Sequence, residues 1–206
     1  MSMKSELKRK ALHLTGLSIP MIYLLFGREF TLRFTGFFLI LFVILEPFRI
    51  VEHLRDGVKK RLHLYVDEEI IAKFEDELDS IAREHERYWI GAHIYFTLAA
   101  LIVIYLFPED IAIGAIAAAT LGDAMAAIIG KSFGRHRFKN GKSLEGSSAY
   151  FLTALLILVP LTDLPHGIIG ALAGAITEFY ELPPDDNFSN QLAIAVVLYV
   201  FRIALF

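Results

Sequence analysis

One stretch of the sequence combines a carboxylate, glycines and a cluster of bases, the residue types that phosphate chemistry uses. Asp123 lies inside a long apolar run, which the chain leaves through Gly130 and Gly134. Moving a carboxylate into hydrocarbon costs about 2.5–3.5 kcal/mol, so such a residue is functional by default. On a helix Asp123 lies roughly 10 Å below Gly130, within reach of the membrane surface. The pattern predicts a site where a phosphate-bearing molecule meets one dissolved in lipid.

A basic loop follows these glycines and is the strongest candidate for an anion site. Glycines let backbone N–H groups approach phosphate oxygens closely, while Lys and Arg neutralise the charge, and the next helix N-terminus also favours anions. The candidates for phosphate contact are Gly130, Lys131, Gly134, Arg135, Lys139, Lys142, Ser143 and Gly146. Alternatively, Gly130 and Gly134 pack helices together, and the bases only mark a cytoplasmic loop.

Carboxylates near the loop are candidates for metal binding or proton transfer. Asp123 and Glu145 bracket it, and a nucleoside triphosphate normally arrives with Mg²⁺, which prefers carboxylate oxygens. A second acidic cluster contributes Glu178 and Asp186, followed by Asn187. Which carboxylate would hold the metal and which would accept a proton stays open. Alternatively, Asp123 pairs with a Lys or Arg inside the helix bundle.

Two further groups of polar residues have a functional and a structural interpretation. His13 lies at the edge of the first apolar run and is a candidate base, or else it binds a neighbouring helix. It is preceded by Glu6, Arg9 and Lys10. For Glu181 and Asp185 we favour a solvated turn.

Composition assigns the protein to the membrane. Its 206 residues are 55% hydrophobic, and the mean hydropathy is +0.52, which is typical of an integral membrane protein. The absence of cysteine excludes disulfides and thiolate chemistry. A net charge of −3 gives no general attraction to nucleic acid. We expect one integral-membrane domain over 1–206.

Seven apolar runs predict an all-α, polytopic transmembrane bundle. They are 11–26, 30–48, 89–107, 111–130, 147–163, 166–182 and 188–206. We expect the first to be a retained helix, because no small-residue cleavage site follows it. Lys and Arg concentrate before the first run and after the second and fourth, so the positive-inside rule places the N-terminus in the cytoplasm. We expect a multi-pass protein of a prokaryotic cell membrane.

The segment 49–88 is the one large polar insertion. Its apolar residues recur at helical spacing opposite an acidic face. They are Ile70, Ile71, Phe74, Leu78 and Ile81. The pattern predicts a cytoplasmic amphipathic helix that packs on the bundle or on the second subunit of a homodimer.

These residues resemble the CTP-dependent lipid-alcohol kinases, the family of dolichol kinase, phytol kinase and the CTP-using diacylglycerol kinase. The family pattern D-x-x-A-x-x-x-G-x-x-x-G is matched by Asp123, Ala126, Gly130 and Gly134. The pattern K-K-[TS]-x-E-G is matched by Lys142, Ser143, Glu145 and Gly146. The N-terminal pattern E-x-x-R-K-x-x-H and a late D-N pair are matched by Glu6, Arg9, Lys10, His13, Asp186 and Asn187.

Two features depart from the family pattern. Gly141 stands where the first lysine of the pair is expected, and the loop between the two central motifs is shorter than usual. We expect Lys139 to supply the missing charge.

The resemblance implies transfer of the γ-phosphate of CTP, bound with Mg²⁺, to the hydroxyl of a membrane lipid at the cytoplasmic face. Gly130, Gly134, Lys142 and Ser143 would hold the triphosphate. Asp123, Glu145 and Asp186 would hold the metal or take the hydroxyl proton.

Several alternatives differ in the acceptor or in the reaction. The leading acceptor is a polyisoprenol such as dolichol, a lipid carrier in glycosylation. Phytol, geranylgeraniol and diacylglycerol are alternative acceptors. A cytidylyltransferase that forms CDP-linked lipids is a second alternative, although its C-terminal signature is missing. A membrane transporter is a third, and the lack of repeated halves argues against it.

Overall fold

The described chain is built from α-helices. A computed structural model describes residues 3–62, 64–73 and 90–204, with side chains from residue 8 onward except at 48–50 and 52–55. Its helices are α1 (Met3–Leu14), α2 (Ser18–Ile50), α3 (Glu52–Leu62), α4 (Ala92–Leu106), α5 (Glu109–Phe133), α6 (Leu144–Leu161), α7 (Leu164–Tyr180) and α8 (Asp186–Ala204). Within these ranges β-pairing is limited to a bridge between Arg137 and Ser143. The predicted all-α class is confirmed.

The helix α2 folds back on itself at Gly27. This residue has φ 74° and ψ 178°, a backbone conformation that is essentially restricted to glycine. Three contacts with α4 and the residue before it trace the path. The His13 ring packs against Phe96, and the Arg28 guanidinium donates to the carbonyl of Tyr105. The Glu46 carboxylate accepts from the N–H of Gly91. The chain therefore runs along α4 in one direction before Gly27 and in the opposite direction after it.

The helix α5 forms the centre of the bundle. It packs against α6 most extensively and also contacts α1, α2, α4, α7 and α8. Small residues on its buried surface let these neighbours approach closely. They include Ala112, Gly114, Ala115, Ala118, Ala119 and Gly122. This central position puts Asp123 among several helices.

An ion pair joins α5 and α8 at the end of the bundle opposite Asp123. Arg202 in the last turn of α8 binds both carboxylate oxygens of Asp110 in the first turn of α5. Because both side chains are partly exposed, we expect the pair to fix the helix ends more than to add stability.

The outer surface of the bundle is suited to lipid. Within the described ranges, four segments are long and apolar enough to cross a membrane: Lys8–Pro47, Glu109–Phe133, Leu144–Leu161 and Asp186–Ala204. Ala92–Leu106 is a shorter apolar helix. Large apolar side chains such as Leu25 and Leu156 are more than 70% exposed on the outside. The protein is an all-α membrane bundle, while seven spans and their orientation remain predictions.

Part of the polar insertion is described. It contains α3 and a helical stretch at 68–73. Ile71 is buried and Ile70 is exposed, which is consistent with a helix that has one packed face. Phe74, Leu78 and Ile81 lie outside the described residues, so the rest of the predicted amphipathic helix remains a prediction.

The turn at Gly27 predicts opposite effects for two Gly→Ala substitutions in α2. Gly27→Ala should lower the free energy of unfolding by about 1–3 kcal/mol, because alanine rarely adopts that backbone conformation. Gly36→Ala is the matched control, since its added methyl would meet nothing within 4 Å. It should raise stability by about 0.5–1 kcal/mol through helix propensity. Unfolding in detergent measures both, and equal effects would contradict the turn.

Candidate active site

Asp123 carries a carboxylate that is compensated inside the bundle. Its side chain is 14% exposed, and its Oδ2 atom is bound by the ammonium of Lys10, whose side chain is 3% exposed. The Nε2 atom of His13 lies 3.5 Å from the same oxygen. The alternative in which Asp123 pairs with a lysine of the bundle therefore describes this structure. The pair brings the N-terminal helix to the site.

The basic loop between α5 and α6 is a tight hairpin. The N–H of Phe138 donates to the carbonyl of Lys142 at 2.8 Å, and the N–H of Gly141 donates to the carbonyl of Phe138 at 3.0 Å. Gly141 has φ 82°, in the left-handed region that favours glycine. The hairpin explains both departures from the family pattern, because a short loop turns here and a lysine at position 141 would be strained.

The hairpin is attached to the end of α7. The side-chain amide of Asn140 donates to the carbonyl of Phe179 at 2.9 Å. The rings of Phe138 and Phe179 pack edge to face, with centroids 4.9 Å apart. These contacts fix the loop relative to the acidic cluster at the end of α7.

Lys142 is held by two carboxylates of that cluster. Its Nζ atom lies 2.6 Å from Glu178 Oε1 and 3.0 Å from Glu181 Oε1. Burial alone would lower the pKa of Lys142, but the two carboxylates outweigh it and raise the pKa above its ordinary value. Lys142 therefore stays cationic at neutral pH.

Glycines bring the backbones of α5 and α6 together beside the loop. A Cβ atom on Gly146 would lie 2.9 Å from the carbonyl oxygen of Ala126, and one on Gly130 would lie 3.5 Å from the Cα atom of Gly146. A Cβ atom on Gly134 would lie 2.9 Å from the Cβ atom of Ser143. The hydroxyl of Ser143 accepts from the N–H of Gly146 at 3.1 Å and caps α6. The packing role that was the alternative for Gly130 and Gly134 is thus observed.

These elements surround a cavity of about 260 Å³. It is open on one side, and both positive and negative side chains face it. The lining residues are Arg9, Lys10, Asp123, Ala126, Ala127, Gly130, Lys131, Arg137, Asn140, Gly141, Lys142, Ser143, Gly146, Ser147, Glu178, Glu181 and Asp186. The cavity combines residues from α1, the hairpin and four helices of the bundle.

Several predicted site residues lie beside the cavity and are not in its lining. Glu145 binds the ring of His136 at 2.8 Å and also faces its backbone N–H. Arg135 and Lys139 are exposed on the hairpin. Asn187 donates to Asp185 and Asp186 at the start of α8. The side chain of Glu6 lies outside the described residues.

The carboxylates of the cavity suit Mg²⁺ that arrives with phosphates. Among the described residues no three His, Asp or Glu side chains stand close enough to enclose a metal by themselves. Magnesium bound to a nucleotide needs few protein ligands, because phosphates and waters complete its shell. Asp123, Glu178 and Asp186 line the same cavity. These three residues fit the role better than Glu145.

Four polar residues at the cavity were not among the predicted site residues. Arg137, Asn140 and Ser147 line it, and Glu181 binds Lys142 although we expected it in a solvated turn. Their signals were weak, since an Arg or Asn in a basic loop and a Ser in a helix are common. The contact between the hairpin and α7 distinguishes Asn140 and Glu181.

Sequence comparisons relate the chain to lipid-alcohol kinases. The probable chloroplastic phytol kinase of Triticum aestivum is 26% identical over 96% of this chain and 68% of its own length. The dolichol kinase of Schizosaccharomyces pombe is 37% identical over 37% of this chain, which is 17% of that protein. A protein of Rickettsia prowazekii whose name gives no function is 24% identical over 95% of this chain and 94% of its own length.

No family model and no solved structure matches the chain. The two kinases nevertheless agree in class, and one of them aligns along nearly the whole chain. The similarities support the polyprenol and phytol kinase family.

The contacts of Lys142 predict a coupled effect on stability. Lys142→Met should lower the free energy of unfolding by about 1–3 kcal/mol, because it leaves Glu178, with a side chain 6% exposed, without its partner. The double variant Lys142→Met/Glu178→Gln should recover most of the loss. Unfolding in detergent measures each. Lys139→Met, on the exposed part of the hairpin, is the control, and an equal loss there would contradict the coupling.

Proposed function

We propose that this protein transfers the γ-phosphate of CTP to the hydroxyl of a membrane lipid alcohol, giving the lipid monophosphate and CDP. The observation that carries the proposal is the cavity, where Asp123 faces a glycine-rich, basic hairpin within a lipid-facing bundle. The similarity to a dolichol kinase and a phytol kinase supports it.

The hairpin side of the cavity binds the triphosphate. Lys131, Arg137 and Lys142 line it and neutralise phosphate charge. Gly130 and Gly146 have no side chain to block the approach of phosphate oxygens. Binding transfers Lys142 from Glu178 and Glu181 to phosphate, which releases both carboxylates. Arg135, Lys139 and Ser143 stay candidates for outer or capping contacts.

Phosphoryl transfer asks the protein for position and charge, and the cavity residues supply both. The alcohol oxygen forms a bond to the γ-phosphorus, the bond between that phosphorus and the β–γ bridging oxygen breaks, and CDP leaves. The hydroxyl proton passes to a basic side chain. Asp123 is the leading candidate for this base, and His13, which lies beside it, is the other candidate. Mg²⁺ supplies further neutralisation of the phosphates when bound, and Asp123, Glu178 and Asp186 are its candidate ligands.

The acceptor is a long-chain isoprenoid alcohol in this proposal. The two kinases named above act on dolichol and phytol by name, and both are isoprenoid alcohols. We favour a polyisoprenol of the dolichol type. Phytol, geranylgeraniol and diacylglycerol are the other acceptors to compare.

The reaction class depends on which phosphate of CTP is transferred to the alcohol. Purified protein in lipid, given a panel of alcohols and CTP labelled at either the α or the γ position, should place only γ-label on the alcohol. Label from the α position would identify a cytidylyltransferase. No transfer from CTP to any alcohol would remove the proposal and leave the transporter alternative.

Replacement of Asp123 tests its place in the reaction. Asp123→Asn should lower the rate of γ-phosphate transfer about 10²–10⁴-fold, the range for loss of a group that handles the proton. Asp110→Asn is a matched control, because it breaks the ion pair with Arg202 at the other end of the same helix. The control should keep its activity. Activity retained in a folded Asp123→Asn variant would exclude Asp123 from the mechanism.

A further inference from the structure

Three polar atoms beneath the phosphate-binding hairpin are buried without a partner. They are the hydroxyl oxygens of Ser147 and Tyr150 and the Oε2 atom of Glu178, and none has a hydrogen-bond partner among the described residues. A buried hydroxyl or carboxylate oxygen without a partner is costly, and buried tyrosines usually find one. Three such atoms in one region suggest that a ligand satisfies them.

The Tyr150 hydroxyl is held in position by two glycines. A Cβ atom on Gly174 of α7 would lie 2.8 Å from the hydroxyl oxygen, and one on Gly122 of α5 would lie 3.0 Å from the ring. Gly122 directly precedes Asp123, and Gly174 is one helical turn before Glu178. Tyr150 is therefore packed between these two glycines, below the carboxylates of Asp123 and Glu178, and its exposure is 0%.

Ser147 and Glu178 connect this position to the cavity. Both line it, and Ser147 is one turn before Tyr150 on α6, so the two hydroxyls share a helix face. The carboxylates of Asp123, Glu178 and Asp186 all act electrostatically on the phenol of Tyr150. Ser147 and Glu178 belong to the cavity wall, and Tyr150 lies directly behind that wall, outside the lining. We call the three unpartnered atoms the floor of the cavity.

The chemistry of the floor selects a neutral hydroxyl. A phosphate would be repelled by Glu178. Mg²⁺ would use the Oε1 atom of Glu178 that Lys142 releases, on the side of Asp123 and Asp186, which leaves the Oε2 atom beside two hydroxyls. A bound alcohol donates a hydrogen bond to the carboxylate oxygen and accepts one from Tyr150 or Ser147. Tyr150 lies roughly 9 Å along α6 from its start, a depth at which the polar end of a lipid alcohol meets hydrocarbon.

We propose that Ser147, Tyr150 and Glu178 form the subsite that binds the hydroxyl of the acceptor alcohol. The inference rests on the proposed function, because it names where the acceptor binds in the same cavity. Asp123, which directly follows Gly122, then lies beside this hydroxyl on the same cavity wall.

Binding without CTP tests the subsite apart from turnover. The probes are geranylgeraniol and the same isoprenoid with hydrogen in place of the hydroxyl, measured at equal mole fraction in nanodiscs. Wild-type protein should prefer the alcohol by about three- to tenfold for each hydrogen bond. Tyr150→Phe and Ser147→Ala should each reduce that preference and leave affinity for the hydrocarbon unchanged. Tyr23→Phe, another buried tyrosine at 2% exposure, should keep the full preference.

The outcomes separate the subsite from the reaction. If the two variants keep the wild-type preference, or lose affinity for both probes equally, the subsite is wrong even when γ-phosphate transfer occurs. If the preference falls as expected but no alcohol receives phosphate from CTP, the proposed function fails and the alcohol site stands. When transfer occurs, Tyr150→Phe should raise KM for the alcohol and leave KM for CTP unchanged.

Discussion

A carboxylate inside an apolar helix must be compensated, and the site depends on how the protein compensates Asp123. The ammonium of Lys10 binds it, and His13 lies beside the same oxygen. Because an unpaired charge at this depth would be costly, the N-terminal helix must cross α5 at this level. The pair leaves Asp123 facing the cavity, so the contact that stabilises the carboxylate also keeps it accessible.

Close packing and ligand binding use the same residues on the other side of Asp123. Gly130 and Gly146 bring α5 and α6 together, and both also line the cavity. Lys142 joins the hairpin to the end of α7 through Glu178 and Glu181. The two interpretations of the glycine and basic residues, as packing elements and as a phosphate site, are therefore compatible, since the same residues join the helices and line the cavity.

Local patterns in the sequence predicted the features that one element determines by itself. The apolar runs predicted the helices, and the spacing of Asp123, Gly130 and Lys142 predicted a common site. The reversal at Gly27, the contact of Glu181 with Lys142 and the position of Tyr150 depend on how separate helices pack. The hydrophobic periodicity within one segment does not indicate contacts between separate helices. Glu145 follows the motif in sequence, but its carboxylate binds His136 and is not in the cavity lining.

The most direct test of the account is a structure in lipid nanodiscs with Mg²⁺ and a non-hydrolysable CTP analogue. We expect a triphosphate in the cavity, Lys142 moved from Glu178 to a phosphate oxygen, and the γ-phosphate next to Asp123. A nucleotide bound elsewhere, or one whose γ-phosphate is separated from Asp123 by the width of a helix, would contradict it.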